Sequence, residues 1–208
     1  YIDNELSTTD VEYFLNIIKY KKILKQRNIL LKENRKKKIS NDIMEIWEEQ
    51  LTTYGTKIIK KRLELIEKLQ EISRKIHLRI TDNVEELHIE YQTIIDLMDI
   101  ESSYRNLLKE NRQKDIDRGY TSIGPHRDDL EILINGKSAK KFASQGQQRT
   151  ISLSLKISEI EFIKEKTGEY PLLLLDDVLS ELDKKRKHKL LEEIENKVQT
   201  MITTTDLN

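Results

Sequence analysis

The sequence predicts an α/β fold into which an α-helical hairpin is inserted. Three observations carry the prediction. Residues from about 9 to 77 contain no proline and show apolar positions at spacings of three and four. Two later stretches, around Leu87–Tyr91 and Leu130–Ile134, alternate apolar with polar residues, the period of a half-buried strand. Finally, Leu172 to Leu175 form an uninterrupted apolar run that ends in Asp176-Asp177 and is followed by a helical and then a second apolar segment.

Taken in order, Thr9 or Asp10 is the expected N-cap of the first long helix, whose stripe is Val11, Phe14, Leu15 and Ile18. Ser40 or Asn41 caps a second helix with the seam Ile43, Trp47, Leu51, Tyr54, Ile58, Leu65, Leu69, Ile72 and Ile76. Arg62 holds the one seam position that is not apolar. Gly55 sits mid-helix at a cost of about 1 kcal/mol against alanine, which predicts a close contact or a bend. The two helices form an antiparallel hairpin. The expected division is a helical arm over 1–82 and an α/β part over 83–208.

In the second part, a charged helix is expected from Ile95 to Arg118. Asn135-Gly136 is a hairpin turn, because both positions need φ > 0, and Lys137 to Phe142 is the return strand. Ile151, Leu153, Leu155 and Ile157 alternate like a strand. The stretch is too long for one, no turn residue interrupts it, and Ile160, Phe162 and Ile163 break the alternation, so a helix over about 146–167 is predicted. Pro171 opens a strand over Leu172–Leu175, expected to be central and buried on both faces. Lys184–Asn196 is a helix and Val198–Thr204 a strand, which makes a right-handed crossover.

Composition narrows the class. The 208 residues are 37% hydrophobic and 36% charged with zero net charge, the profile of a folded protein with much charged helix surface. With no cysteine there are no disulfides and no thiolate metal site, which fits a cytoplasmic location. No apolar run is long enough to span a bilayer and no signal peptide is visible. The charge is locally uneven: Lys19, Lys21, Lys22, Lys25, Arg27, Lys32, Arg35, Lys36, Lys37 and Lys38 face a single acidic residue, Glu33. Such a run either binds phosphate backbones or is a solvated helix face. The smaller cluster at Lys184, Lys185, Arg186, Lys187 and Lys189 carries the same two readings.

Two stretches carry chemistry. The apolar run ending in Asp176-Asp177 has the pattern of the metal-binding strand of a P-loop nucleotidase. Such a strand end is where open α/β sheets place ligands. Asp176 would hold Mg²⁺ and Asp177 would orient or deprotonate a water. The plain alternative is an ordinary polar strand end. Ser144-Gln145-Gly146-Gln147 precedes a helix, whose free N–H groups and dipole favour a phosphate. Its plain alternative is an N-cap without a ligand. Gly124-Pro125-His126-Arg127-Asp128-Asp129 reads as a turn entering a strand, either a functional motif or a rigid turn with Arg127 paired to a neighbouring carboxylate. The adjacent Asp128 and Asp129 do not complete a metal shell with His126. A P-loop is missing. The one glycine pair at the right spacing, Gly119 and Gly124, is followed by Pro125-His126 and no lysine, so ATP cannot be held in the usual P-loop manner. With Tyr1 at its start, the simplest expectation is a piece of a longer protein.

The segments Tyr20–Asn28, Gly124–Asp129, Ser144–Thr150, Leu174–Asp183 and Gln199–Thr205, in this order, resemble the RecF family of bacterial recombination mediators over essentially the whole chain. That family is similar to the ATPase heads of the SMC family, with a short helical domain in place of a coiled coil. The resemblance implies part of an ABC-type ATPase head that binds DNA and dimerises on ATP and Mg²⁺ around two composite sites. It also implies work with RecR, and indirectly with RecO, to load RecA at single-strand gaps. By position, Ser144, Gly146 and Gln147 match the signature loop, read in trans. Asp176 matches the Mg²⁺ ligand, Asp177 the catalytic acid and Asp183 the loop that crosses between heads. Lys21, Lys25, Arg27 and Lys32 are the candidate DNA contacts. An Asp at position 177, where ABC ATPases generally have Glu, implies slow hydrolysis. Thr203-Thr204-Thr205 supplies no switch histidine. The missing lobe implies that this chain alone is inactive and that one face of its sheet is uncovered. The alternatives are a non-catalytic helical interaction module and an SMC-family head fragment.

Overall fold

A computed structural model describes residues 1–35, 40–176, 182–195 and 197–203. The elements are α1 (Ile2–Thr9), α2 (Val11–Asn34), α3 (Asn41–Ile80), β1 (Leu87–Gln92), α4 (Ile100–Glu110), α5 (Arg112–Arg118), β2 (Asp129–Ile134), β3 (Lys137–Ser138), α6 (Ala139–Phe142), α7 (Gln145–Thr167), β4 (Leu173–Asp176), α8 (Lys184–Ile194) and β5 (Thr200–Thr203). Among the described residues no helix is long and apolar enough to cross a membrane. Two compact units emerge, one of residues 1–64 and 91–129, the other of 65–90 and 130–208. These units do not follow the expected division at residue 82. The unbroken 40-residue α3 contributes to both units.

In the first unit, Asp10 caps α2 by accepting the Tyr13 N–H at 2.9 Å. The Ser40 hydroxyl lies 3.4 Å from the Ile43 N–H at the start of α3. The two helices are antiparallel. As α2 positions climb from Tyr13 through Lys19 to Arg27, their α3 partners fall from Arg62 through Tyr54 to Glu48. Tyr13, Ile17, Tyr20, Ile23 and Leu31 face inward. The expected stripe Val11, Phe14, Leu15 and Ile18 is exposed instead. Sequence periodicity located an apolar face of α2, but the aromatic and polar residues Tyr13, Asn16, Tyr20 and Arg27 make up much of the opposite, core-facing side. In the α3 seam Leu51, Ile58 and Leu65 are buried, while Ile43 is exposed.

Glycine positions show how tightly this unit is packed. A Cβ at Gly55 would stand 2.5 Å from the Tyr104 ring, so the mid-helix glycine marks a close contact. At Gly124, φ is +128°, and a Cβ would fall 2.2 Å from the Tyr104 hydroxyl and 2.6 Å from that of Tyr20. The motif that follows forms an internal knot. Arg62 donates to the Pro125 carbonyl at 2.6 Å and to Asp3 at 2.9 and 3.0 Å. Tyr91 donates to Asp128 at 2.5 Å. The ring of His126 spans Tyr20 Oη (2.7 Å) and the Thr121 carbonyl (3.1 Å), which fixes the neutral tautomer with its proton on Nε2. The Arg127 guanidinium, expected against a carboxylate, lies over the Tyr120 ring. The predicted helix from Ile95 to Arg118 begins at Ile100 and breaks at Asn111, whose side chain bonds the Leu107 carbonyl.

The second unit holds two sheets. In the first, the order is β1-β2-β3, with β2 and β3 antiparallel across Asn135 (φ 48°) and Gly136 (φ 75°). The return strand stops at Ser138, and residues 139–142 form α6 instead of continuing it. In the second, β4 and β5 pair in parallel, Leu173 with Thr200 through Asp176 with Thr203, with α8 lying between them in sequence. The α7 helix is buried around its circumference, at Ile151, Leu153, Ser154, Leu155, Ile157 and Phe162, which explains its misleading alternation. Ile76, Ile80, Leu153, Ile157, Leu173, Leu175 and Leu190 form the core. The β4 run is not buried on both faces: Leu173 and Leu175 are covered, whereas Leu172, Leu174, Met201 and Ile202 are exposed. Among the described residues this sheet has two strands.

Gly124→Ala should destabilise the chain by about 2 kcal/mol or more, because it combines positive φ with two buried hydroxyl clashes; a shift in the urea midpoint measures it. Burial also lowers the His126 pKa. Below about pH 6.5 the unfolded chain then binds a proton that the folded chain refuses, so stability is full above that pH and falls on acidification. Urea midpoints from pH 7.5 to 5.5 should fall for the wild type and fall less for His126→Gln.

Candidate nucleotide-facing site

Three helix and strand ends of the second unit bring the candidate residues into view. Ser144 is the N-cap of α7 and forms a reciprocal box with Gln147. The Gln147 N–H donates to Ser144 Oγ at 3.3 Å, and the Ser144 N–H donates to Gln147 Oε1 at 2.9 Å. The oxygen of Ser144 is thereby an acceptor, and its own hydroxyl proton is left to donate outward. The first-turn N–H groups of Gln145 and Gly146 point out of the same helix end. A Cβ at Gly146 would meet nothing within 4 Å, so internal packing gives no reason for a glycine there. The arrangement fits a phosphate, which needs several donors, a favourable dipole and close backbone approach.

Asp183 caps α8, accepting the Arg186 N–H at 2.9 Å, and its side chain is largely exposed. Asp176 ends β4, is exposed, and accepts the Thr203 hydroxyl. An exposed carboxylate suits Mg²⁺, which binds through one or two carboxylates and keeps several waters. Among the described residues no three His, Asp or Glu gather as a closed metal cage. Asp177, the expected catalytic acid, lies outside the described residues, as do Ser180, Glu181 and the Thr204-Thr205 end of the final strand.

On α2, Lys21, Lys25 and Lys32 are exposed. Arg27 must be withdrawn from the candidate DNA contacts. It is fully buried, bonding Asp115 at 2.8 Å, Thr121 at 2.8 Å and Glu48 at 3.0 Å. An arginine spaced evenly within a basic run reads as surface, although here its position falls on the core side of the helix. Lys36 to Lys38 lie outside the described residues.

No motif in the sequence pointed to a second layer behind Ser144. Glu85 Oε1 accepts from Gln147 Nε2 at 3.2 Å and from Arg186 at 3.0 Å. Arg186 also donates to Thr150 Oγ1 at 2.8 Å. His77 sits 3.4 Å from Glu85 Oε2, and its other ring nitrogen is 3.0 Å from Ser154 Oγ. Arg186 lies three residues beyond the Asp183 cap, a spacing that could have marked it. Glu85 falls between helix and strand, without any signal of its own.

Comparison with known proteins identifies the family. The chain is 47% identical to the DNA replication and repair protein RecF of Halothermothrix orenii over 99% of its length, and 49% identical to that of Clostridium perfringens over all of it. The chain belongs to the RecF family. It spans 57% and 56% of the length of these two relatives. A structure described as the recombination mediator protein RecF-ATP in the RecFOR pathway matches the whole chain with a TM-score of 0.88 at 38% identity, and the match covers 57% of that structure's chain. The family membership and this likeness establish the fold as part of an ABC/SMC-type α/β ATPase head with its helical hairpin. No family model matches the sequence.

Proposed function

We propose that this chain is the portion of a RecF-type, DNA-binding ABC ATPase that presents the signature loop and the strand-end carboxylates of a composite ATP site. The supporting observation is the open N-terminus of α7. A boxed Ser144 keeps its proton, Gly146 leaves space above the backbone, and the box presets Gln147. In this reading the loop meets the γ-phosphate of ATP held by a second copy, and Asp183 approaches the same interface from the start of α8. Asp176 would hold Mg²⁺, which would supply charge neutralisation at the phosphates. Asp177 takes a proton from the attacking water, and its short reach makes turnover slow. The full-length protein would carry the P-loop and dimerise on ATP, and the present chain alone would not hydrolyse it. Support for the biological setting comes from relatives named for DNA replication and repair and from the neighbour described as a recombination mediator. Partners in this reading are DNA, RecR and, indirectly, RecO and RecA, in the cytoplasm.

A second reading has one observation in its favour. The exposed stripe Val11, Phe14, Leu15 and Ile18 on α2 suits a helical interaction module whose half-site is inert. ATPase assays on the full-length chain discriminate the two.

Ser144→Arg in the full-length protein places a long cation where the phosphate approaches and removes the hydroxyl donor. It should bind ATP normally as a monomer, fail to dimerise on a non-hydrolysable ATP analogue in analytical ultracentrifugation, and hydrolyse almost nothing. A variant that still dimerises reduces the loop to a helix cap. The exposed lysines have a separate test. Changing Lys21, Lys25 and Lys32 together to Glu should weaken DNA binding and lower the slope of log affinity against log salt by about 1 for each phosphate no longer neutralised. Unchanged affinity and slope would remove α2 from the DNA surface.

A further inference from the structure

Gln147 of the signature loop and Asp183 at the start of α8 share one partner network, and Arg186 and Glu85 are its centre. The Arg186 guanidinium reaches four acceptors on three segments. It donates to Thr150 Oγ1 at 2.8 Å and approaches the Gly146 carbonyl at 3.5 Å, both on the first turns of α7. It donates to Glu85 Oε1 at 3.0 Å and stands 3.5 Å from Asp183 Oδ2. The same Glu85 oxygen takes the Gln147 amide N–H, while the Gln147 carbonyl oxygen holds the Ser144 N–H. An unbroken polar chain therefore runs from Ser144 through Gln147, Glu85 and Arg186 to Asp183. Thr150 closes a second link by donating its hydroxyl to the Gly146 carbonyl.

Burial anchors the centre of this chain. Glu85 is 7% exposed and His77 and Ser154 are fully buried, so the carboxylate has few water partners to exchange for these bonds. Only a planar, forked cation can address Gly146, Thr150, Glu85 and Asp183 together; a lysine ammonium has neither the fork nor the span.

We propose that Arg186, oriented by Glu85, is a positioning residue that fixes the signature loop and the Asp183-capped start of α8 as a single rigid element. The inference rests on the composite-site reading above and adds its internal coupling. Displacing Asp183 at the dimer interface then moves Gln147 and Ser144 with it, so the two contacts a partner head makes form together rather than independently. The Arg186 guanidinium is taken up by Gly146, Thr150, Glu85 and Asp183, so its role here is to position them.

The test uses the full-length protein and four measurements on each variant: ATP affinity of the dilute monomer, the dimer dissociation constant with a non-hydrolysable analogue, kcat, and the urea midpoint. Arg186→Ala should leave monomer ATP affinity within about twofold, while the dimer constant rises and kcat falls by roughly tenfold or more. Arg186→Lys should restore the urea midpoint toward wild type without restoring dimerisation, because a lysine refills the volume and charge but not the fork. In a double-mutant cycle, Arg186→Ala and Asp183→Ala should be clearly non-additive in the dimer constant. A wild-type dimer constant in Arg186→Ala overturns the proposal. So does a lysine variant that restores stability and dimerisation in parallel, since that would mark a purely structural ion pair. If the wild type dimerises on nucleotide and Ser144→Arg does not, a normal Arg186→Ala sinks only the coupling. A wild type that fails to dimerise overturns the composite site and the coupling together.

Discussion

A guanidinium with no exposed surface organises the first unit. Arg27 lies between Glu48 and Asp115, so α2, α3 and α5 must meet wherever that charge is neutralised. Stripping water from the cation costs several kcal/mol, and close partners must offset it. Both terminal nitrogens are paired, Nη1 with Asp115 and Thr121 and Nη2 with Glu48, while the buried Nε has no partner. Asp115 also accepts from Ser122, Glu48 also binds Arg112 at 2.6 Å, and Asn28 accepts the Thr121 N–H at 2.7 Å. Such a pair is a poor source of net stability, but it tolerates almost no alternative register of the hairpin.

Arg62 applies the same logic farther along α3. It gathers Asp3, Tyr13, Tyr91 and the Pro125 carbonyl around one cation, and so ties the start of the chain to a turn more than a hundred residues later. Tyr20, Tyr104 and His126 extend the arrangement as a relay of hydroxyls and a neutral ring. The motif around Gly124 is thus largely consumed by scaffolding. What it offers the outside is Arg127 over Tyr120, beside the exposed Asp129.

Local chemistry made much of this legible in advance. The Asn135-Gly136 turn, the Ser40 and Asp10 caps, the extent of α7 and the contact at Gly55 all depend on a few neighbouring residues, and each stands where composition places it. Failures came where distant partners decide. Nothing near Val11 or Phe14 reveals that Tyr13 and Tyr20 will hold the inner face, nor does the charge run disclose that Arg27 points inward to Asp115, 88 residues away. The return strand ends early because α6 takes over after Ser138. At the candidate site, the residues that would face a ligand were readable from motif spacing. Those that orient them, Glu85 and His77, belong to no motif and become visible only once α7, α8 and the turn after α3 are assembled.

The bare side of the β4–β5 pair has a practical corollary. Leu174 is 66% exposed and Met201 58%, flanked by Leu172 and Ile202, on a sheet of two strands among the described residues. Exposed apolar faces and open edges are templates for other chains. Produced by itself, this polypeptide should be limited by colloidal behaviour before it is limited by unfolding. It should bind hydrophobic dyes while still folded, recruit chaperones in the cell, and lose solubility with concentration at temperatures well below its melting transition.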